Sequence, residues 1–163
     1  MEPVFSHTLE THSAAETEAL GNRLAAAAPG GMIITLCGEL GAGKTVLVRG
    51  IASGLQMPPG VFVTSPTYVL QHIYRGGRLT LYHIDAYRLV GGAGELESSG
   101  LAECFNDEQG LVCVEWPERL KDFNWPADHI AIHIDHHDPQ VRRAVLNAGG
   151  PRSQIVLQTA IGA

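Results

Sequence analysis

Met32-Ile33-Ile34-Thr35-Leu36-Cys37-Gly38-Glu39-Leu40-Gly41-Ala42-Gly43-Lys44-Thr45 decides how this chain is built. The first six residues form an apolar run, the pattern of a strand buried on both faces. From Gly38 the pattern G-x-x-x-x-G-K-[ST] follows, met by Gly38, Gly43, Lys44 and Thr45. Its spacing has a physical reason. Glycines let the backbone curl so that several N–H groups converge on phosphate oxygens. A helix predicted from Lys44 to about Gly54 adds its positive end. Strand, loop and helix thus occur in the order of a P-loop. Glu39, Leu40, Gly41, Ala42, Gly43, Lys44 and Thr45 are therefore the expected contacts of a nucleotide, ATP. Lys44 reaches its β and γ phosphates, and the Thr45 hydroxyl is a ligand for Mg²⁺.

Upstream, Val4 to Thr8 reads as a short edge strand. Ser13 caps a helix that runs through Leu20 and Leu24 to Ala28, with Glu16 at the capping-box spacing. Pro29-Gly30-Gly31 ends it. Downstream, Tyr68–Tyr74 and Arg78–Ile84 form a predicted hairpin turning at Gly76-Gly77. Asp85 to Gly94 is a loop, and a short helix is expected over Glu95–Phe105. Leu111-Val112-Cys113-Val114 is a second buried strand ending at Glu115. Ile130–Asp135 and Val141–Leu146 make a closing pair of strands. The expected fold is α/β: a P-loop NTPase-like three-layer sandwich with a mixed parallel and antiparallel sheet, one domain over 1–163.

The totals limit the function. The chain has 163 residues, 45% of them apolar, enough for one core. Its net charge of −6 argues against a protein that grips nucleic acid alone, because such proteins carry basic patches that displace counterions. The densest basic pair is Arg142-Arg143. The three cysteines have no C-x-x-C spacing, which suits free thiols in the reduced cytosol and predicts a cytoplasmic protein. No apolar run approaches a membrane span.

A P-loop needs a second acid to hold Mg²⁺, usually at the end of a buried strand. Asp85 and Glu115 are the two candidates, both at strand ends where α/β sheets bind ligands. His83 shares a strand face with Asp85. Taken alone, Ser65-Pro66-Thr67 is only a turn signal. His133, Asp135 and His137 would share one strand face. They alternate with isoleucines, however, which fits a half-buried strand better than a metal site.

These strings together resemble the TsaE (YjeE) family, the small bacterial ATPases of tRNA N6-threonylcarbamoyladenosine biosynthesis. The resemblance rests on Gly38–Thr45, Arg49-Gly50, Ser65-Pro66-Thr67-Tyr68, Tyr82-His83-Ile84-Asp85-Ala86-Tyr87-Arg88-Leu89 and Glu115-Trp116-Pro117-Glu118. It implies that Lys44 and Thr45 bind phosphate and Mg²⁺, with Glu115 as a second magnesium ligand. It further implies that Asp85 acts near the γ phosphate and the attacking water. Ser65 to Thr67 would be a switch-like loop, so Asp85, Lys44 and Thr67 form the implied catalytic set. Trp116 would lie near the nucleotide. So would a residue of the N-terminal segment, matched by Ser13, and a late basic residue, matched by Arg142 or its neighbour Arg143. The implied partners are TsaD and TsaB, which transfer the threonylcarbamoyl group to adenosine 37 and hold the tRNA. Two rival readings are a small-metabolite kinase, which needs an arginine-bearing lid, and a nucleotide switch without required hydrolysis.

Overall fold

The computed structural model describes residues 2–162. At its centre is strand β2 (Met32–Cys37), with all but Cys37 buried. Parallel strands flank it: β6 (Ile130–His136) on one side and β5 (Gly110–Glu115) on the other. Beyond β5 lies β4 (Thr80–Asp85), also parallel. Antiparallel strands close both edges, β3 (Gln71–Tyr74) on β4, then β7 (Arg142–Ala148) and β1 (Phe5–Thr11) beyond β6. The resulting order, β1-β7-β6-β2-β5-β4-β3, is the expected mixed sheet.

Alternation along the strands makes two cores. Ile34, Leu36, Leu81, Leu111 and Cys113 face helices α1 (Ala14–Ala27), α2 (Lys44–Gly54) and α4 (Pro151–Ile161). Ile33, Ile84, Val112 and Val114 face the opposite layer, built from α3 (Gly92–Ser98) and a 3-10 helix over Leu101–Asn106. Phe105, Phe123 and Trp125 thicken that layer with ring pairs at 4.6 to 6.0 Å. Each fully buried aliphatic side chain contributes about 1.5–3 kcal/mol. The three layers match the expected sandwich.

Helix α1 begins as read. Ser13 Oγ accepts the Glu16 N–H at 3.1 Å, and the Glu16 carboxylate accepts the His12 N–H at 2.7 Å. Its last carbonyls are satisfied from afar: the Arg78 guanidinium donates to Ala25 and, at 2.8 Å, to Ala28. Helix α2 packs closely on α1 because Gly50 has no side chain. A Cβ there would overlap the Glu18 backbone.

Several boundaries differ from the sequence reading. Strand β1 runs on to Thr11, because its backbone pairs with β7 along its whole length. Tyr68-Val69-Leu70 is a turn rather than strand: Leu70 N–H donates to Pro66 O at 2.7 Å and Leu70 takes φ 66°. The helix expected over Glu95–Phe105 is two pieces, parted at Gly100 with φ 77°. Helix α4 has no counterpart in that reading. The three thiols are free, and burial pushes Cys104 up to about 12. No helix among the described residues is long and apolar enough to cross a membrane.

Candidate nucleotide site

Gly38 leaves β2 with φ 144°, and Gly43 takes φ 111° as the residue before α2. Both angles lie in the region that side-chain-bearing residues avoid, so the curl of this loop depends on glycine. No side chain caps the start of α2. Its first N–H groups therefore remain as donors aimed at the loop, where an anion is favoured.

Lys44 is buried at 5% exposure. Its Nζ donates to Gly38 O at 2.6 Å and Glu39 O at 2.8 Å, and lies 4.1 Å from the Trp116 ring centroid. Burial pulls its ammonium below the usual lysine range, while Glu115, Glu118 and Asp85 oppose the shift. Trp116 holds its place through a left-handed backbone, φ 59°, and packs on Tyr87 with centroids 4.9 Å apart.

The two acids sit side by side. Asp85 and Glu115 are register partners at the ends of β4 and β5, each nearly fully buried. Thr45 Oγ1 donates to Glu115 Oε1 at 2.9 Å, and His83 Nε2 lies 2.8 Å from the same oxygen. Asp85 Oδ2 accepts from Ser65 Oγ at 2.9 Å and Thr67 Oγ1 at 2.8 Å; its Oδ1 accepts the Tyr87 N–H at 2.9 Å. The Ser65–Thr67 turn is therefore tied to the site, which its turn signal alone did not reveal. His83 turns to Glu115 rather than to Asp85.

Lys44, Thr45, Thr67, Asp85, Glu115 and Trp116 share one cleft of about 320 Å³, with Leu40, Gly41 and Gly43 on its loop side. Glu39 and Ala42 belong to the loop but do not line the cleft; Ala42 N–H donates to Glu39 O at 3.1 Å. Ser13 and Arg142 also stand off it. Ser13 caps α1, and the Arg142 guanidinium donates to the carbonyls of Asp138, Pro139 and Val141. Tyr87 and Ser65 line the cleft without having been singled out individually. A second cleft of about 330 Å³, walled by Trp125, Pro126, His129 and Asn147, lies at the other end of β6 and holds no such convergence of donors. His133 pairs with Asp135 at 2.7 Å, and no metal-binding cluster of His, Cys, Asp and Glu occurs among the described residues.

Mg²⁺ takes hard oxygen ligands. Thr45 Oγ1 and the Glu115 carboxylate, adjacent at the mouth of the loop, fit it by donor type and position.

A loop of this form, at the carboxyl end of a central parallel strand and beside two buried acids, defines a P-loop NTPase-like protein. The family model "Threonylcarbamoyl adenosine biosynthesis protein TsaE" matches residues 11–145. The chain belongs to the TsaE family. It is 36% identical over 143 residues to the tRNA threonylcarbamoyladenosine biosynthesis protein TsaE of Bacillus subtilis, covering 88% of this chain and 86% of that one. The Streptomyces coelicolor protein of the same name is 44% identical over 119 residues, covering 71% and 76%. The crystal structure of Bacillus subtilis YdiB superposes with a TM-score of 0.80 at 31% identity, covering 99% of this chain and 98% of that one.

Proposed function

We propose that this protein is a Mg²⁺-dependent ATP hydrolase that supports formation of N6-threonylcarbamoyladenosine at position 37 of tRNAs reading codons that begin with A. In this reading it acts on a TsaB–TsaD pair that carries out the transfer and holds the tRNA. The observation that carries the hydrolytic part is the pairing of Asp85 with Glu115 at the rim of the phosphate loop, each bound to a different set of hydroxyls.

The N–H groups at the start of α2 bind phosphate oxygens, and Lys44 adds its charge at the β and γ positions. Thr45 and Glu115 would hold a magnesium ion, whose charge would neutralise that of the phosphate oxygens. A carboxylate offers about four lone-pair sites. Three of those on Asp85 are engaged by Ser65, Thr67 and Tyr87. The remaining one suits a water, so Asp85 orders the attacking water while keeping Thr67 at the γ-phosphate end. Trp116 and Tyr87 wall the cleft against bulk solvent.

The only cation lining the cleft among the described residues is Lys44, which favours hydrolysis over transfer to a metabolite by an arginine-bearing lid. The test is phosphate release from ATP by the purified chain, alone and with TsaB and TsaD. Release is expected to rise when the pair is added. No rise overturns the proposed partnership.

A further inference from the structure

His83 is completely buried on β4, beside Cys113 of β5. Its Nε2 is 2.8 Å from Glu115 Oε1, while its Nδ1 is buried with no hydrogen-bond partner. A carboxylate only accepts, so Nε2 carries a proton and donates, while Nδ1 is left without a partner. That assignment follows from the bonding network. An imidazole with one buried unsatisfied nitrogen is a poor choice for core packing, since an aliphatic side chain would fill the position with no desolvated polar atom. Its retained contact is the one to Glu115.

We infer that His83 is a positioning residue for the magnesium-holding carboxylate. The inference rests on the proposed role of Glu115. A glutamate side chain ends in a soft torsion that lets the carboxylate swing. Two donors converge on one oxygen from opposite elements, Thr45 Oγ1 from α2 at 2.9 Å and His83 Nε2 from β4. Together they pin Oε1 and leave the other oxygen to the cleft. This reverses the usual order in metal centres, where histidine is the ligand and a carboxylate stands behind it. Asp85 gains nothing from His83, because its hydrogen bonds come from Ser65, Thr67 and the Tyr87 backbone.

The experiment measures ADP binding by calorimetry in Mg²⁺ and in EDTA, for the intact chain and for His83→Leu, His83→Gln, His83→Asn, Glu115→Ala and the double variant His83→Leu/Glu115→Ala. Loss of an outer partner of a metal ligand weakens metal affinity by about 10- to 100-fold. His83→Leu is expected to lose about that factor in the Mg²⁺-dependent part of affinity and to keep its affinity in EDTA. His83→Gln, whose amide nitrogen reaches as far as Nε2, restores it; His83→Asn, which stops short, does not. In the Glu115→Ala background, His83→Leu adds no further loss. An unchanged Mg²⁺ effect in His83→Leu, or equal losses in the Gln and Asn variants, overturns the inference. If His83→Leu does not fold, the Gln and Asn comparison decides alone. If Mg²⁺ has no effect on the intact chain, or Glu115→Ala keeps the whole effect, the reading of Glu115 fails instead.

Discussion

Asp85 and Glu115 stand in register across neighbouring parallel strands, yet they bind hydroxyls from opposite sides of the cleft. Glu115 takes Thr45 from the phosphate-loop helix. Asp85 takes Ser65 and Thr67 from the turn before β3. Two acids in one small site therefore have separate partners, and variants distinguish them.

Asp85→Ala frees the Ser65–Thr67 turn and removes the seat for a water, but leaves the phosphate loop intact. Nucleotide affinity is expected to stay within about threefold, while hydrolysis falls by about 10²-fold or more. Calorimetry and phosphate release measure the two, and tRNA modification in cells should fail as well. Normal modification by this variant would falsify the requirement for hydrolysis.

Lys44→Ala removes a charged donor, worth about 1.5–3 kcal/mol per hydrogen bond, so ADP affinity should drop by about 10- to 100-fold. The pH dependence has a definite sign. Burial lowers the Lys44 pKa, so its charge is lost as pH rises, in a window below the usual value of about 10.4. ADP affinity of the intact chain should therefore fall on the alkaline side before an ordinary lysine titrates. Lys44→Arg should flatten that fall, since guanidinium stays charged. An identical alkaline profile for both proteins would assign the titration elsewhere.

Asp128 anchors α4 by accepting the N–H groups of Arg152 and Ser153, each at 2.9 Å. Burial works against its charge, but hydrogen bonds from Ser153 and Arg152 outweigh burial and hold its pKa below the usual range. A carboxyl depressed on folding stabilises the protein above its unfolded pKa, about 3.9, and loses that contribution as pH falls through the folded value. Thermal melts should show Asp128→Asn with a lower Tm at neutral pH and a smaller further loss as pH falls below about 4. A parallel decline in both proteins would contradict this.

Gly50→Ala tests the α1–α2 contact. In an exposed helix, alanine is favoured over glycine by about 1 kcal/mol. Here the added methyl meets the Glu18 backbone, and overpacking costs about 1–3 kcal/mol. A lower denaturation midpoint is the expected outcome; a raised one would mean that the helices separate freely.

The parts of the site that were legible in the sequence are those made by contiguous residues. The run Met32–Cys37, the glycines and the Lys44–Thr45 pair lie within a few residues of each other, so apolar pattern and backbone freedom are enough to read them. Ser13 as a cap is legible for the same reason. Helix α4 was missed, although it does carry local signals: Pro151 opens it, Ser153 Oγ accepts the Gly150 N–H at 3.1 Å, and Gly162 ends it with φ 76°. What holds it in place is distant, Asp128 at its start and Arg23 Nε donating to Ala160 O at 2.9 Å at its far end. The break at Gly100 and the turn at Leu70 depend on single positive φ values inside otherwise plausible patterns.

By itself, then, the sequence determined the strand–loop–helix unit that receives phosphate, and its longer strings pointed to the family. Those features are local, or are patterns of residue type along the chain. Only the tertiary structure decided which groups each acid binds. Strand order is set by backbone hydrogen bonds, which carry no residue-type label, so the β2-β5-β4 adjacency that puts Asp85 beside Glu115 was hidden. The choice of partner for His83 was hidden too. It shares a strand face with Asp85, but the distance to Glu115 on the next strand is what makes a hydrogen bond.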